Sequence, residues 1–307
     1  MQNIYEVAAA NKRKSFLIMA LFVAFITAAT YFIATGLSLY WGYDVGGLGI
    51  VGVALIISGL MSIGSYYFSD KIVLGISGAR PANKKHDFAF YTVAENLSLA
   101  AGIPVPRLYV IDDTAMNAFA TGRDPKHAVV VATTGLLSRL TRTEIEGVVA
   151  HELSHVRNYD ILLMSIVTVL VGMLALLADM FLRASIYGGG RRERKGGAGL
   201  VILLGLIFAI LSPVVGQLIK LAISRRREFN ADAGAVAITR QPSGLISALK
   251  KIAVDTEPLE AANKATAHLY IENPFKNKIG DARSTFSELF NTHPPVEKRI
   301  AELKKMA

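Results

Sequence analysis

The chain alternates between long apolar runs and mixed segments. No charged residue occurs from Ser15 to about Trp41, nor from Val45 to Ser69. Each run exceeds the roughly 20 residues a helix needs to cross hydrocarbon, so the pattern predicts two spans joined by a short loop whose only charge is Asp44. From Asp70 to Asp160 the chain reads as soluble protein. Helical periodicity covers about Asp87 to Ala101. Arg107 to Asp112, Asn117 to Thr121 and Ala128 to Ala132 have the composition of short strands, and Thr134 to Leu140 starts a helix. Thr141 and Glu144 have capping-box form, the hydroxyl facing the N3 amide and the carboxylate reaching back. They open a helix predicted from Arg142 to about Asn158. A third apolar run covers Ile161 to Ala178, and a fourth about Gly196 to Ile219, with a basic glycine-rich loop between them. From Ser224 to Ala307 the pattern is again soluble-like and mostly helical.

Charge orients these elements. Lys12, Arg13 and Lys14 precede the first run, and Lys71, Arg80, Lys84 and Lys85 follow the second. The positive-inside rule therefore places the N-terminus and the segment after Ser69 in the cytoplasm. The basic loop between the third and fourth runs conflicts with full spanning there. With zero or two crossings alike, the chain returns to the same side, so residues 223–307 rejoin residues 70–160. The first run is too long for a signal-peptide core and reads as a retained anchor.

Composition narrows the class. Apolar residues at 52% and charged residues at 19% argue against an ordinary soluble enzyme. Cysteine is absent, which excludes disulfides and thiolate metal sites and leaves histidines and carboxylates to carry any metal chemistry. The net charge of +9 has no nucleic-acid motif beside it, so anionic headgroups are the expected counterpart.

The chemistry concentrates in His151-Glu152-Leu153-Ser154-His155. Four residues apart on a helix, His151 and His155 project from one face and can share an ion. Glu152, rotated by about 100°, can miss the metal yet reach a water bound to it. A catalytic zinc site usually takes a third protein ligand. Glu228, in Ser224-Arg225-Arg226-Arg227-Glu228-Phe229-Asn230-Ala231-Asp232, is the best candidate. It could equally pair with Arg225 or Arg227 on a solvated face. Asp232, one turn further, could accept the free N–H of a ligand histidine.

His151–Asp160 and Ser224–Asp232, with Asn117-Ala118-Phe119-Ala120 and Thr292-His293-Pro294-Pro295, resemble the HtpX family of membrane zinc endopeptidases, in the superfamily of the CAAX prenyl proteases. The resemblance implies one catalytic zinc ion with Glu228 as third ligand, although His and carboxylate donors suit several divalent metals. It implies cleavage of misfolded or damaged membrane proteins at a site facing the cytoplasm of the inner membrane, and induction by stress. Asn117, Ala118 and Phe119 resemble an edge strand that holds an extended peptide by main-chain hydrogen bonds; an ordinary short strand is the alternative. His293 and Arg299 resemble residues near the site, His293 as oxyanion donor or as structural cap. Asn158 and Asp160 resemble supports at the helix end.

The expected fold is thus a mainly α-helical integral membrane protein carrying an α+β, zincin-like peptidase domain with a small sheet. Residues 1–69 form a transmembrane hairpin, 70–160 the first catalytic part, 161–222 a second apolar hairpin and 223–307 the part with the third ligand. The expected partners are polypeptide substrates and the lipid bilayer, with a homo-oligomer left open and no nucleic acid. The rival readings are a CAAX-type protease and a non-catalytic zinc-braced scaffold or chaperone.

Overall fold

The computed structural model describes residues 4–41, 47–170, 172, 225–262, 266, 269–272 and 294–306. The fourth apolar run, the basic loop before it, most of the third run beyond Leu170, and His293 lie outside these residues.

The first two apolar runs are helices longer than the runs themselves. α1 (Ile4–Trp41) starts before the basic triplet, and α2 (Gly47–Ile76) continues through Asp70 and Lys71. The two helices pack against each other. Among the described residues, Val51–Ile76 is the one stretch long and apolar enough by composition to cross a bilayer. A third helix, α6 (Asp160–Leu170), joins them. Its Leu163, Ile166, Val167 and Leu170 bury against Ile18 and Phe22 of α1.

Beyond α2 lies a sheet of β1 (Arg80–Pro81), β2 (Arg107–Ile111), β3 (Ala118–Thr121) and β4 (Val129–Thr133), in the order β1-β2-β4-β3. β2 and β4 are parallel; β1 with β2 and β3 with β4 are antiparallel. Strand side chains alternate between faces, and here both faces are covered. Leu108, Val110, Ala118, Ala120, Val130 and Ala132 turn toward the helices α3 (Phe88–Ala101) and α5 (Arg142–Arg157). Ile111, Phe119, Val129 and Val131 turn toward Val73 and Leu74 of α2 and Met164 of α6. That double coverage explains why β4 is buried at every position and reads as a continuous apolar run.

α4 (Thr134–Arg139) leads into the capping box of α5, where both reciprocal bonds form. Glu144 does more than cap. It also accepts from Lys251 Nζ at 2.7 Å and Ser247 Oγ at 2.6 Å, both on α8 (Pro242–Val254). Burial acts to raise its pKa, but these bonds and those from Thr141 outweigh it and hold the carboxyl at about 2. The start of the histidine helix is therefore tied to the C-terminal part of the chain. α7 (Arg225–Thr239) and α9 (Val296–Lys304) complete the layer. α7 comes unusually close to α5 because position 234 is glycine: a methyl there would sit 2.1 Å from Ser154 Oγ.

Candidate metal centre

α5 presents both imidazoles on its buried face, ring centroids 4.8 Å apart and nearly perpendicular. Their Nε2 atoms are 3.2 Å apart. α7, held close by Gly234, delivers Glu228 to the same point. Its Oε2 is 3.6 Å from His151 Nε2, and its Oε1 is 3.6 Å from His155 Nε2. The structure thus brings together His151, His155 and Glu228, all buried, as a group able to hold an ion. Glu228 is not on a solvated face; its neighbour Arg227 turns instead to Asp160, Nε to Oδ1 at 2.9 Å.

The donor set fits a tetrahedral divalent ion. Ligand bonds of about 2.0–2.1 Å imply ligand–ligand edges of about 3.3 Å, and the observed separations bracket that value. The far nitrogens support the same orientation. His151 Nδ1 is 2.9 Å from Asp232 Oδ1, and His155 Nδ1 is 3.0 Å from Asp160 Oδ2. An Nδ1–H donated to a carboxylate leaves the Nε2 lone pair for a metal. Two such lone pairs and a carboxylate aimed at one point are a poor arrangement without a cation between them.

Each supporting carboxylate is itself anchored. Asp232 accepts from Arg299 Nε at 2.9 Å and from Arg299 Nη2 at 2.6 Å, a two-pronged pair in which the guanidinium is fully buried. Burial raises the Asp232 pKa, but Arg299 and His151 outweigh it and bring it down to about 2. For His151, burial and the Arg299 charge act downward. The hydrogen bonds with Asp232 and Glu228 prevail and raise it to about 9. Asp160 accepts from Asn11 Nδ2 of α1 at 2.8 Å, and the same amide reaches Asn158 O at 2.9 Å.

Asn158 caps α5. Tyr159 then takes φ of 59°, a left-handed conformation uncommon for a non-glycine residue. The reversal starts α6 at Asp160 and turns its carboxylate back on His155. Lys12 of α1 lies over the Tyr159 ring, 3.9 Å from its centroid.

Glu152 is buried on α5 beside His151. The strand β3 is an edge strand. Thr133 N donates to Asn117 O, so by antiparallel alternation Phe119 pairs its main chain with Val131 while Ala118 and Ala120 turn theirs to the open edge. The Phe119 ring points away from α5 and packs edge-on against Tyr270, centroids 5.0 Å apart. Part of the open edge is taken by the chain itself. Ile271 N donates to Ala118 O at 3.0 Å, and Asn117 Nδ2 donates to Glu272 O at 3.1 Å. Arg299 Nη1 donates to Ile271 O at 3.4 Å, which ties this segment to the support of His151.

Sequence reasoning missed Asn11 and Asp160's second partner Arg227. Arg227 stood inside the quoted motif, but its only suggested role was in the alternative that pairs Glu228 with Arg225 or Arg227 on a solvated face. Asn11, in a polar stretch far from the histidines along the chain, offered no local signal.

Residues 89–307 match the profile of peptidase family M48. A Thermoanaerobacter pseudethanolicus protein described as "Protease HtpX homolog" is 44% identical over 99% of this chain and 98% of its own length. Proteins with the same description from Dictyoglomus thermophilum and Tropheryma whipplei are 42% and 41% identical. They cover 98% and 99% of this chain and 94% and 98% of their own. Among solved structures, the crystal structure of S. mikatae Ste24p is similar with a TM-score of 0.45 at 18% identity, covering 97% of this chain and 67% of that one.

Proposed function

The chain belongs to peptidase family M48 and is a metallopeptidase; from that premise we propose that it is a membrane-embedded zinc endopeptidase that cleaves misfolded or damaged membrane proteins at a cytoplasm-facing site. The observation that carries the zinc assignment is the convergence of His151 Nε2, His155 Nε2 and a Glu228 carboxylate, with a carboxylate behind each imidazole.

In this reading the two imidazoles and Glu228 hold one zinc ion. A bound zinc ion supplies polarisation of the scissile carbonyl and a water of lowered pKa. Glu152 accepts the proton of the attacking water and returns it to the departing amine. Asp232 and Asp160 fix the tautomers of His151 and His155, and Arg299 keeps Asp232 ionised and in place. The main-chain groups of Ala120, on the part of the edge that Ile271 leaves uncovered, align an extended peptide by main-chain hydrogen bonds. In this reading α1 and α2 form a transmembrane hairpin, and the basic residues on its outer flanks favour a cytoplasmic catalytic part.

The test is proteolysis of an unstructured polypeptide by the detergent-purified full chain. Chelation should abolish cleavage and zinc should restore it. Glu152→Gln should keep one equivalent of zinc yet lose activity by about 10²-fold or more. Full activity in Glu152→Gln would rule out its assigned role, and chelator-resistant cleavage would rule out the metal.

A further inference from the structure

At the junction of α2 and the sheet, away from His151 and His155, lies an open cavity of about 630 Å³ with Lys71, Arg107, Arg123 and Lys126 in its wall. We propose that this cavity binds the phosphate of an anionic phospholipid headgroup and so seats the catalytic part on the membrane surface. The proposal rests on the reading of α2 as a membrane span.

The height of the cavity follows from helix geometry. The uncharged part of α2 runs from Gly47 to Ser69, long enough at about 1.5 Å per residue to cross about 30 Å of hydrocarbon. Asp70 and Lys71 therefore fall at headgroup level. Just before them, Tyr67 and Phe68 are exposed, as aromatic residues at a membrane interface are. The opposite wall comes from the start of β2 and the loop after β3, which contribute Arg107, Arg123 and Lys126.

The charges in the cavity are not balanced internally. Asp70, the one carboxylate in its wall, is committed to Arg107. Asp124, next in sequence to Arg123, is committed to the His127 ring at 2.8 Å and touches Arg123 only at 3.7 Å. Lys71 and Lys126 have no ion pair among the described residues. Lys71 Nζ instead sits 5.5 Å from the Phe68 ring centroid, and the Arg123 guanidinium 5.5 Å from that of Tyr67. Arg123 also donates to Tyr67 O at 3.4 Å, fixing its head against the span. Three cations from two separate parts of the fold thus converge on an open volume at the depth where lipid phosphates lie. A phosphodiester with one negative charge and two unesterified oxygens matches that donor set.

The experiment uses the full chain in nanodiscs of phosphatidylcholine, with or without a minor fraction of phosphatidylglycerol. Retained lipid is read by mass spectrometry after release. The wild type should retain phosphatidylglycerol in preference to phosphatidylcholine. Lys71→Gln, Arg123→Gln and Lys126→Gln should each weaken that retention about fivefold. Lys85→Gln removes the same charge from an exposed position outside the cavity and should leave retention unchanged. Equal weakening by Lys85→Gln would mean diffuse surface attraction and would overturn the site, as would unchanged retention in the three cavity variants. Inorganic phosphate, added to phosphatidylcholine discs, separates the sources: thermal protection by phosphate without phosphatidylglycerol retention overturns the lipid assignment. A chain that enters both kinds of disc but retains no anionic lipid overturns the site alone. A chain that enters neither overturns the spanning reading and the site with it.

Discussion

Asn11 Nδ2 lies 2.8 Å from Asp160 Oδ1, so the first helix of the chain holds the carboxylate that holds His155. The amide also reaches Asn158 O, and Lys12 covers Tyr159. α1 thereby clasps the whole reversal between α5 and α6. His155 is in this way linked, through Asp160, to a residue of α1 far away along the chain. Replacing such outer partners of ligand histidines commonly costs 10–100-fold in metal affinity. Asn11→Ala should insert normally and weaken zinc binding about tenfold, measured by competition with a chromogenic chelator. Unchanged affinity would show that Arg227 alone suffices to orient Asp160.

Arg299 and Asp232 form the other buried support. Removing the guanidinium would leave the buried Asp232 carboxylate with the His151 ring but without its counter-cation, a change that costs about 3–5 kcal/mol where a buried pair is broken. Arg299→Met should unfold at markedly lower temperature and bind zinc poorly. Arg299→Lys should rescue little. A single ammonium cannot reproduce the two parallel bonds to Asp232 together with the bond to Ile271 O. Differential scanning fluorimetry in detergent, with and without zinc, reads both effects.

Proton and metal compete for His151. In the metal-free protein its pKa is raised to about 9 by Asp232 and Glu228 against burial and Arg299. The sign is opposite for folding and for loading. A raised folded pKa stabilises the metal-free fold fully below the unfolded value near 6.5, and that contribution fades as pH rises through about 9. Zinc needs the deprotonated ring, so apparent affinity should climb with pH across the same window and release about one proton per ion from this site. Asp232→Asn should shift the window downward. Calorimetric titration in buffers of different ionisation enthalpy counts the protons.

How much of this was legible in the residues depends on distance along the chain. The Thr141–Glu144 box, the helix it opens and the strand β2 follow from spacing within a few residues, and the structure has them nearly where the pattern put them. The end of α2 was less readable. Asp70 marks the end of an apolar run, but a helix does not stop at a charge, and Arg107 from β2 partners it. Asn117 to Ala120 was readable as a short strand and, through the family resemblance, as an edge strand, whereas its partial occupation by Ile271 and Glu272 depends on chain far downstream. Asn11 was the least legible, since its bond to Asp160 spans 149 residues and asparagine has no pattern of its own.

Gly234 sets how near α7 comes to α5, and so whether Glu228 reaches the imidazoles. A methyl at this position would lie 2.1 Å from Ser154 Oγ and 2.9 Å from Ser154 Cβ. Rotating the hydroxyl relieves the first contact but not the second, because Cβ is fixed to the backbone of α5. The helices must therefore separate in Gly234→Ala. Glu228 lies only six residues before the contact on the same helix, so it moves with it. Zinc affinity should fall at least tenfold, since ligand atoms tolerate displacements of only about 0.2 Å. The double variant Gly234→Ala with Ser154→Gly removes both clashing atoms and should recover most of the lost affinity, at some cost in helix stability. A single variant that binds zinc as the wild type does would mean that α7 can shift without carrying Glu228 away, which the packing of Ala231 and Ala235 into the core argues against.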